Sequence, residues 1–99
     1  VYAAAKAGVI SLTKSLAKET GKHNVMINCA SFGAIRTEKE QTWFDENPGM
    51  EEKFSKAYAL RRLGEMDDAA NGLMMLSSDL VTWITGQTLS VSGGFSFVD

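Results

Sequence analysis

The stretch NVMINCA, residues 24–30, constrains the fold more than any other part of the sequence. Only Asn28 interrupts the apolar run from Val25 to Cys29, which directly follows a segment with helical periodicity. A short apolar run in that position is typical of a strand that is buried on both faces of a parallel sheet. We therefore predict a strand at Val25–Cys29 within an α/β fold.

The segment before this run has the periodicity of an amphipathic helix from Tyr2 to Thr20. Gly21 follows it directly, and glycine at that position commonly ends a helix. Apolar residues at three- and four-residue spacing predict the buried face of this helix. The members of this apolar stripe are Ala5, Val9, Leu12 and Leu16.

A polar segment with several aromatic residues extends from Thr37 to Leu60. We predict two short helices there, broken at Asn47-Pro48-Gly49, because proline lacks a backbone donor and clashes with the preceding helical turn. Asp67 and Asp68 suit the N-terminus of a further helix, where carboxylates cap amide groups and complement the dipole. Its expected buried residues are Ala69, Leu73 and Leu76.

The end of the chain predicts a second strand. Thr85-Gly86 is a turn, and residues Gln87–Val91 alternate between polar and apolar before Gly93-Gly94. The full order predicts about two strands and four helices, with the strands parallel across a helical crossover. Because a doubly buried strand at Val25–Cys29 needs neighbours on both sides, we expect the second half of a larger doubly wound sheet.

Composition excludes several functional classes. The 99 residues carry a net charge of −2 with mixed signs, which argues against nucleic acid or an anionic membrane as a partner. No apolar run approaches the roughly 18 residues of a membrane span, and we expect no signal peptide. The single cysteine, Cys29, and the single histidine, His23, argue against a disulfide framework and a zinc site. We expect a cytoplasmic protein.

The first candidate site is the pair Tyr2 and Lys6, four residues apart on the predicted helix. Residues at this spacing share a helix face, so the phenol and the ammonium face the same space. A nearby cation favours a phenolate, and a tyrosine in that setting exchanges protons with an alcohol or a carbonyl. The spacing also occurs by chance, and a solvated helix face is the alternative.

Four sequence blocks narrow these alternatives. In chain order they are YAAAKAGVISLTKSLAKE, INCASFGAIRTE, RLGEMDDAANGLMMLSSD and ITGQTLSVSGG. In order and spacing they resemble the short-chain dehydrogenase/reductase family, from its Tyr-x-x-x-Lys motif onward. The resemblance implies that residues 1–99 form the C-terminal part of a single Rossmann-like domain whose N-terminal, dinucleotide-binding half is absent. It also implies a homo-oligomer.

The resemblance assigns roles to individual residues. Tyr2 corresponds to the general acid/base, and Lys6 to the partner that activates it and binds the nicotinamide ribose. Gly33, Ile35 and Thr37 correspond to a loop that holds NAD or NADP. The implied reaction is hydride transfer between this cofactor and an alcohol or ketone, and the segment from Glu38 to Leu60 corresponds to a variable substrate lid.

The sequence also departs from the family pattern. Phe32 and Met66 stand where prolines are common in the family. The family's catalytic serine, catalytic asparagine and glycine-rich turn have no counterpart in residues 1–99, so we do not expect these residues to catalyse alone. A second hypothesis is therefore a truncated, non-catalytic remnant that folds by forming oligomers. Neither the substrate nor the choice between NAD and NADP follows from the sequence.

Several smaller features have two interpretations. Trp43, Phe44 and Tyr58 either line a substrate pocket or pack the lid onto the body. The pair Arg61-Arg62 is more simply a solvated turn than an anion site. We expect Cys29 to be a packed core residue, because no basic partner for a thiolate is evident.

Overall fold

The N-terminal helix, α1, spans Tyr2–Thr20, as predicted. The computed structural model describes residues 1–95. A short 3-10 turn at Gly21–His23 ends the helical segment, and Asn24 closes it with a φ of 59°. The hydroxyl of Thr13, a buried residue, donates to the Val9 carbonyl at 2.8 Å, which lets a polar side chain lie inside the packed face of a helix.

Residues 1–95 leave most of the predicted apolar stripe of α1 exposed, and only Leu16 in it is half-buried. Val9 is 56% exposed and Leu12 is 57% exposed, whereas Thr13 and Ala17 are the buried residues of the helix. The turn at Gly86 packs against Ala17, because a Cβ atom added at Gly86 would lie 3.4 Å from the Ala17 methyl group. The periodicity therefore locates the helix, but the face that this part of the chain buries is rotated from the predicted one.

The first strand, β1, spans Cys29–Phe32, so the prediction of a strand at Val25–Cys29 is wrong except at its last residue. The chain opposite Ile27 and Asn28 is the turn around Thr85 rather than a strand, and Val25 bonds back to Thr20 at the end of α1. Ile27 is held by this turn, since its amide donates to the Thr85 hydroxyl at 3.0 Å. Asn28 acts similarly, donating to the Ile84 carbonyl at 2.9 Å and accepting from the Gln87 amide at 3.0 Å.

The second strand, β2, spans Thr88–Val91 and pairs with β1 in parallel, as predicted. The register runs from Cys29 opposite Thr88 to Phe32 opposite Val91. The predicted strand began one residue earlier, at Gln87, whose amide is instead bonded to the Asn28 side chain. The α/β prediction is confirmed, with a two-stranded parallel sheet in the described residues.

Two short helices follow β1. The first, α2, spans Glu38–Glu46 and the second, α3, spans Met50–Ser55, with the predicted break between them. Thr37 caps α2, because its hydroxyl accepts a bond from the Glu40 amide at 3.3 Å. Gly49 adopts a φ of 85° just before α3, a conformation that suits glycine.

The last helix, α4, spans Met66–Leu76. The Asp68 carboxylate accepts from the Glu65 amide at 2.8 Å and pairs with Arg62 at 2.8 Å, so the predicted role of Asp68 at a helix N-terminus is confirmed. Helix α4 packs tightly on β2 at Gly72, where a Cβ atom would lie 3.0 Å from a Val91 methyl. Leu73, predicted to be buried, is 49% exposed among the described residues.

The buried apolar core of residues 1–95 is small. It consists of Ala17, Phe44, Tyr58 and Leu63, and the last three pack together. The described chain is elongated, with principal extents of 52 × 32 × 24 Å. Large apolar residues are exposed on α1, on α4 and in the segment before β2. Examples are Val9, Leu12, Met74, Leu80 and Trp83.

We predict that the Asp68 carboxylate stabilises the fold at neutral pH but not in acid. Its hydrogen bond to Arg62, and then the bond from the Glu65 amide, lower the pKa of Asp68 below its ordinary value. A group with a lowered folded-state pKa stabilises the fold above its unfolded-state pKa of about 4, and this stabilisation disappears as the pH falls through the folded-state pKa.

Asp68→Asn should therefore lower the urea midpoint of the purified protein by the same amount at pH 6 and pH 7. The difference from the unsubstituted protein should shrink below about pH 4. Asp67→Asn is the matched control, since Asp67 makes no ion pair within residues 1–95. A difference that persists unchanged in acid would contradict this role for the carboxylate.

Candidate functional site

Tyr2 and Lys6 lie on one face of α1, as their spacing predicts. The Lys6 Nζ atom lies 5.3 Å from the centroid of the Tyr2 ring, within the range of a cation–π contact. Tyr2 is 75% exposed, and Lys6 is exposed as well. Lys6 makes no ion pair within residues 1–95. The phenol and the ammonium are therefore both available to a ligand on this face.

The loop from Gly33 to Thr37 leaves the carboxyl end of β1 and is held by backbone hydrogen bonds. The Gly33 amide donates to the Val91 carbonyl at 3.2 Å. Gly64 pairs with the loop on its other side, donating to the Ala34 carbonyl at 2.9 Å and accepting from the Arg36 amide at 2.7 Å. These bonds attach the loop both to β2 and to the segment that leads into α4.

Gly33 is required by close packing. A Cβ atom there would lie 2.9 Å from the Tyr58 ring and 3.2 Å from the Cα of Ser92. The Tyr58 hydroxyl accepts a bond from the Ala34 amide at 2.9 Å, which explains why this buried ring lies so close. The family resemblance implies that glycine at position 33 allows a cofactor to approach closely. The structure shows a second reason for glycine there, because Tyr58 and Ser92 leave no room for a side chain.

The four predicted cofactor residues do not form one pocket in residues 1–95. Gly33 and Ile35 line a shared cleft at the carboxyl ends of the strands, together with Ser90 and Ser92. Thr37 is exposed and caps α2, and Lys6 lies on α1 beside Tyr2. The described residues therefore contain two separate groups of candidate residues, one on α1 and one after β1.

The two departures from the family pattern fit the local structure. Phe32 is the last residue of β1, opposite Val91, and an aromatic residue suits such a strand position. Met66 is the first residue of α4, the helix position at which proline is best tolerated. The strand pairing at Phe32 and the start of α4 at Met66 therefore both form without a proline.

The aromatic residues of the segment Glu38–Leu60, the proposed lid, divide between the core and the surface. Phe44 and Tyr58 are buried, and they also line an apolar pocket with Phe54 and Leu63. Trp43 is 40% exposed and stacks on Phe54, with ring centroids 5.9 Å apart. Phe44 and Tyr58 therefore both pack the lid onto the body and line a pocket, while Trp43 does not line it.

Arg36 is a prominent feature of this region that sequence reasoning misses. Its Nε donates to Glu65 Oε1 at 3.0 Å and its Nη1 donates to Gln41 Oε1 at 2.8 Å, and it also pairs with Glu51. The bond to Glu65 is the largest of the effects that raise the pKa of Arg36. Because Glu65 lies 29 positions from Arg36 and Glu51 lies on a different helix, the only sequence signal is an arginine inside the predicted cofactor loop.

The structure also places the remaining candidate residues, Cys29, His23 and Arg62. Cys29 is half-buried, with its Sγ 3.1 Å from the Thr88 hydroxyl across the sheet. His23 is exposed in the 3-10 turn, and Arg62 pairs with Asp68. Across residues 1–95, no group of three His, Cys, Asp or Glu side chains is arranged to hold a metal ion. None of the helices in this part of the chain is long and apolar enough to cross a membrane.

Comparison with known proteins decides the family. Residues 1–96 match the family described as Enoyl-(Acyl carrier protein) reductase. A similar curated protein is the 3-oxoacyl-(acyl-carrier-protein) reductase FabG of Chlamydia pneumoniae, which is 40% identical over 96 residues. The chain belongs to the short-chain dehydrogenase/reductase family. The match covers 97% of this chain and 38% of the Chlamydia protein, so the chain spans about two fifths of that family member's length.

Solved structures of this family share the fold. ElxO with NADP bound superposes with a TM-score of 0.88 at 34% identity, covering 95% of this chain and 38% of ElxO. 4-Hydroxyisoleucine dehydrogenase complexed with NADH gives a TM-score of 0.84 at 32% identity, covering 96% of this chain and 39% of that one. The prediction of a Rossmann-like α/β fold is thereby confirmed.

We predict that Gly33→Ala destabilises the protein by about 1–3 kcal/mol, because the new methyl group overpacks Tyr58 and the Ser92 backbone. Gly21→Ala is the matched control. Gly21 has a helical backbone and no atom within 4 Å of its Cβ position, so alanine should be neutral or slightly stabilising there. Thermal unfolding of both variants is the measurement. Equal melting temperatures would show that the loop after β1 is not tightly packed.

Proposed function

We propose that this chain supplies the proton-transfer pair and part of the cofactor loop of an NAD(P)-dependent oxidoreductase. The reaction is hydride transfer between the nicotinamide and the carbon of a small alcohol or ketone. Membership of the short-chain dehydrogenase/reductase family supports the reaction class. The single observation on which the proposal depends is the exposed pair of Tyr2 and Lys6, with the ammonium 5.3 Å from the ring centroid.

The proton moves at the Tyr2 hydroxyl. In reduction, the phenol donates its proton to the carbonyl oxygen, and in oxidation the phenolate removes the proton from the alcohol. The Lys6 ammonium stabilises the phenolate form and donates hydrogen bonds to sugar hydroxyls. The bound nicotinamide supplies the hydride chemistry, and the protein supplies orientation and electrostatics.

The residues present fit the nicotinamide end of such a cofactor. Lys6 offers an exposed ammonium without an ion pair in residues 1–95, and Thr37 is exposed at the N-terminus of α2. In the proposed site the backbone at Ile35 and the Thr37 hydroxyl meet the carboxamide or the pyrophosphate, and Gly33 allows the close approach. NAD and NADP both remain candidates, since related proteins have been solved with either type of cofactor.

We further propose that residues 1–99 are the C-terminal part of one Rossmann-like domain. Two observations support this. The apolar side chains of Val9 and Leu12 on α1 are exposed, and β1 has one edge without a partner in the described residues. Remaining parts of such a domain would cover that face and pair with that edge. The exposed Leu73 and Met74 on α4 would then form a contact between subunits of a homo-oligomer. The cytoplasmic location stays an expectation.

A second candidate function is a non-catalytic remnant that folds as an oligomer. It is favoured by exposed apolar residues in the segment before β2, where Leu80 is 91% exposed and Trp83 is 97% exposed. Intact mass under denaturing conditions, followed by a turnover assay with NADH and NADPH, separates the two functions. A mass near 10.7 kDa without turnover supports the remnant. A mass more than twice as large, with turnover, supports the enzyme.

In the complete enzyme, Tyr2→Phe should lower kcat by about 100- to 10,000-fold, because it removes the proton donor while keeping the ring. The assay follows nicotinamide absorbance with a panel of ketones and alcohols. Cofactor affinity, measured by fluorescence titration, should stay within about twofold, because the proposed contacts to the cofactor do not involve the Tyr2 hydroxyl. Turnover close to that of the unsubstituted protein would refute the assignment of Tyr2.

Lys6→Met should weaken cofactor binding by about ten- to a hundredfold, because a charged group then no longer bonds to the ribose hydroxyls. Lys14→Met is the matched control, since Lys14 is an exposed lysine two turns further along α1. Titration of both variants with NADH and NADPH is the measurement. An equal loss of affinity in the two variants would point to general charge attraction instead of a specific contact.

A further inference from the structure

We propose that Arg36 is a positioning residue that locks the lid, Glu38–Leu60, against the rest of the chain. The part of this inference that concerns substrate rests on the proposed function, whereas the mechanical part does not. The lock is the set of side-chain contacts that Arg36 makes with α2, with α3 and with the residue before α4. In this proposal, these contacts of Arg36 place the lid over the bound substrate.

Three separate elements converge on the Arg36 guanidinium. Gln41 on α2 accepts from Nη1 at 2.8 Å, and Glu51 on α3 forms an ion pair with the same nitrogen. Glu65, directly before α4, accepts from Nε at 3.0 Å. Within residues 1–95, the pair with Glu51 is the only ion pair that reaches the lid. One side chain therefore connects both lid helices to the body.

The backbone of Arg36 gives the lock a fixed base. Its amide donates to the Gly64 carbonyl at 2.7 Å, in the bridge that pairs the loop after β1 with the segment before α4. On the lid side, the Gln41 amide group donates to Asp45 at 2.9 Å, which orients the Gln41 oxygen toward Arg36. Both ends of this contact are thus held in place by further hydrogen bonds.

An arginine suits this position better than a lysine does. Its planar guanidinium has five N–H donors in a rigid fork, so it can bond to acceptors that lie in different directions. The Arg36 side chain is 25% exposed and that of Glu51 is 34% exposed, so solvent screens these pairs only in part. Ion pairs in such an environment adjust the position of a lid but do not determine whether the chain folds.

The lid is also attached to the body by apolar contacts that do not involve Arg36. Removing the Arg36 contacts should therefore affect the position of the lid and not the folding of the chain. Phe44 and Tyr58 are buried against Leu63, and the Tyr58 hydroxyl accepts from the Ala34 amide. Loss of Arg36 should therefore free α2 and α3 to move without unfolding the body. Because Arg36 lies between Ile35 and Thr37, both in the proposed cofactor loop, the lock also sets the distance between cofactor and lid.

The first test is hydrogen–deuterium exchange on the purified native protein and on Arg36→Gln. Amides of Glu38–Leu60 should exchange about three- to tenfold faster in the variant, while those of α1 and β2 should not change. Arg36→Lys should give an intermediate rate, because it keeps the charge and loses the fork. Lys39→Gln is the matched control, removing a positive charge from α2 at an exposed residue without an ion pair in residues 1–95.

The second test is kinetic and concerns the substrate. Arg36→Gln should raise KM for the carbonyl substrate by about three- to tenfold, with kcat and cofactor affinity changed by less than about twofold. Exchange in the lid equal to that of Lys39→Gln would overturn the proposal, as would faster exchange spread evenly over the chain. If the complete enzyme shows no turnover, the proposed function fails, and the exchange result still decides the lock.

Glu51→Gln keeps the test decisive if Arg36→Gln does not fold. This variant removes only the α3 contact of the lock and leaves the contacts of Arg36 with Gln41 and Glu65 intact. It should accelerate exchange in α2 and α3 in the same direction. Where both single variants fold, the double variant should be no faster than Arg36→Gln alone, since the two residues act through one contact. Additive effects would refute a shared lock.

Discussion

The parallel pairing of β1 with β2 is the constraint on which the rest of the structure depends. It joins Cys29 to Thr88, 59 positions apart, through two strands of four residues each. A parallel pair needs a long crossover, and the chain uses this crossover to hold the lid and α4. The loop after β1 leaves the sheet at its carboxyl end, and Leu60, the last residue of the lid, bonds to Gly93 just beyond β2. Arg36 in this loop can therefore reach both the lid and the residue before α4.

The candidate site divides along the same boundary. The proposed proton-transfer pair lies on α1, and its geometry depends only on helical spacing. The proposed cofactor loop lies after β1, where its geometry depends on contacts with Gly64, Ser92 and Tyr58, all distant in sequence. This division explains why an exposed pair and a tightly packed loop occur in one chain. The first is available to a ligand, whereas the second is positioned by its neighbours.

Local patterns account for much of the fold. Spacing, proline and capping chemistry account for three features: the extent of α1, the break between α2 and α3, and the first turn of α4 around Asp68. The place of β1 does not follow from them. Hydrophobicity favours Val25–Cys29, but a strand exists only where another strand supplies its hydrogen bonds, and that partner begins opposite Cys29. The burial of the apolar stripe on α1 fails for the same reason, because burial also requires a partner.

The sequence by itself determines the helices and the juxtaposition of Tyr2 with Lys6, because each depends on residues within a few positions of one another. The parallel α/β order follows from the alternation of helices and strands along the chain. It also carries the motif order that identifies the family. Only the tertiary structure decides the register of the sheet, the close packing at Gly33 and the convergence of Gln41, Glu51 and Glu65 on Arg36. These features join residues that local periodicity cannot relate, since their proximity arises when the crossover closes.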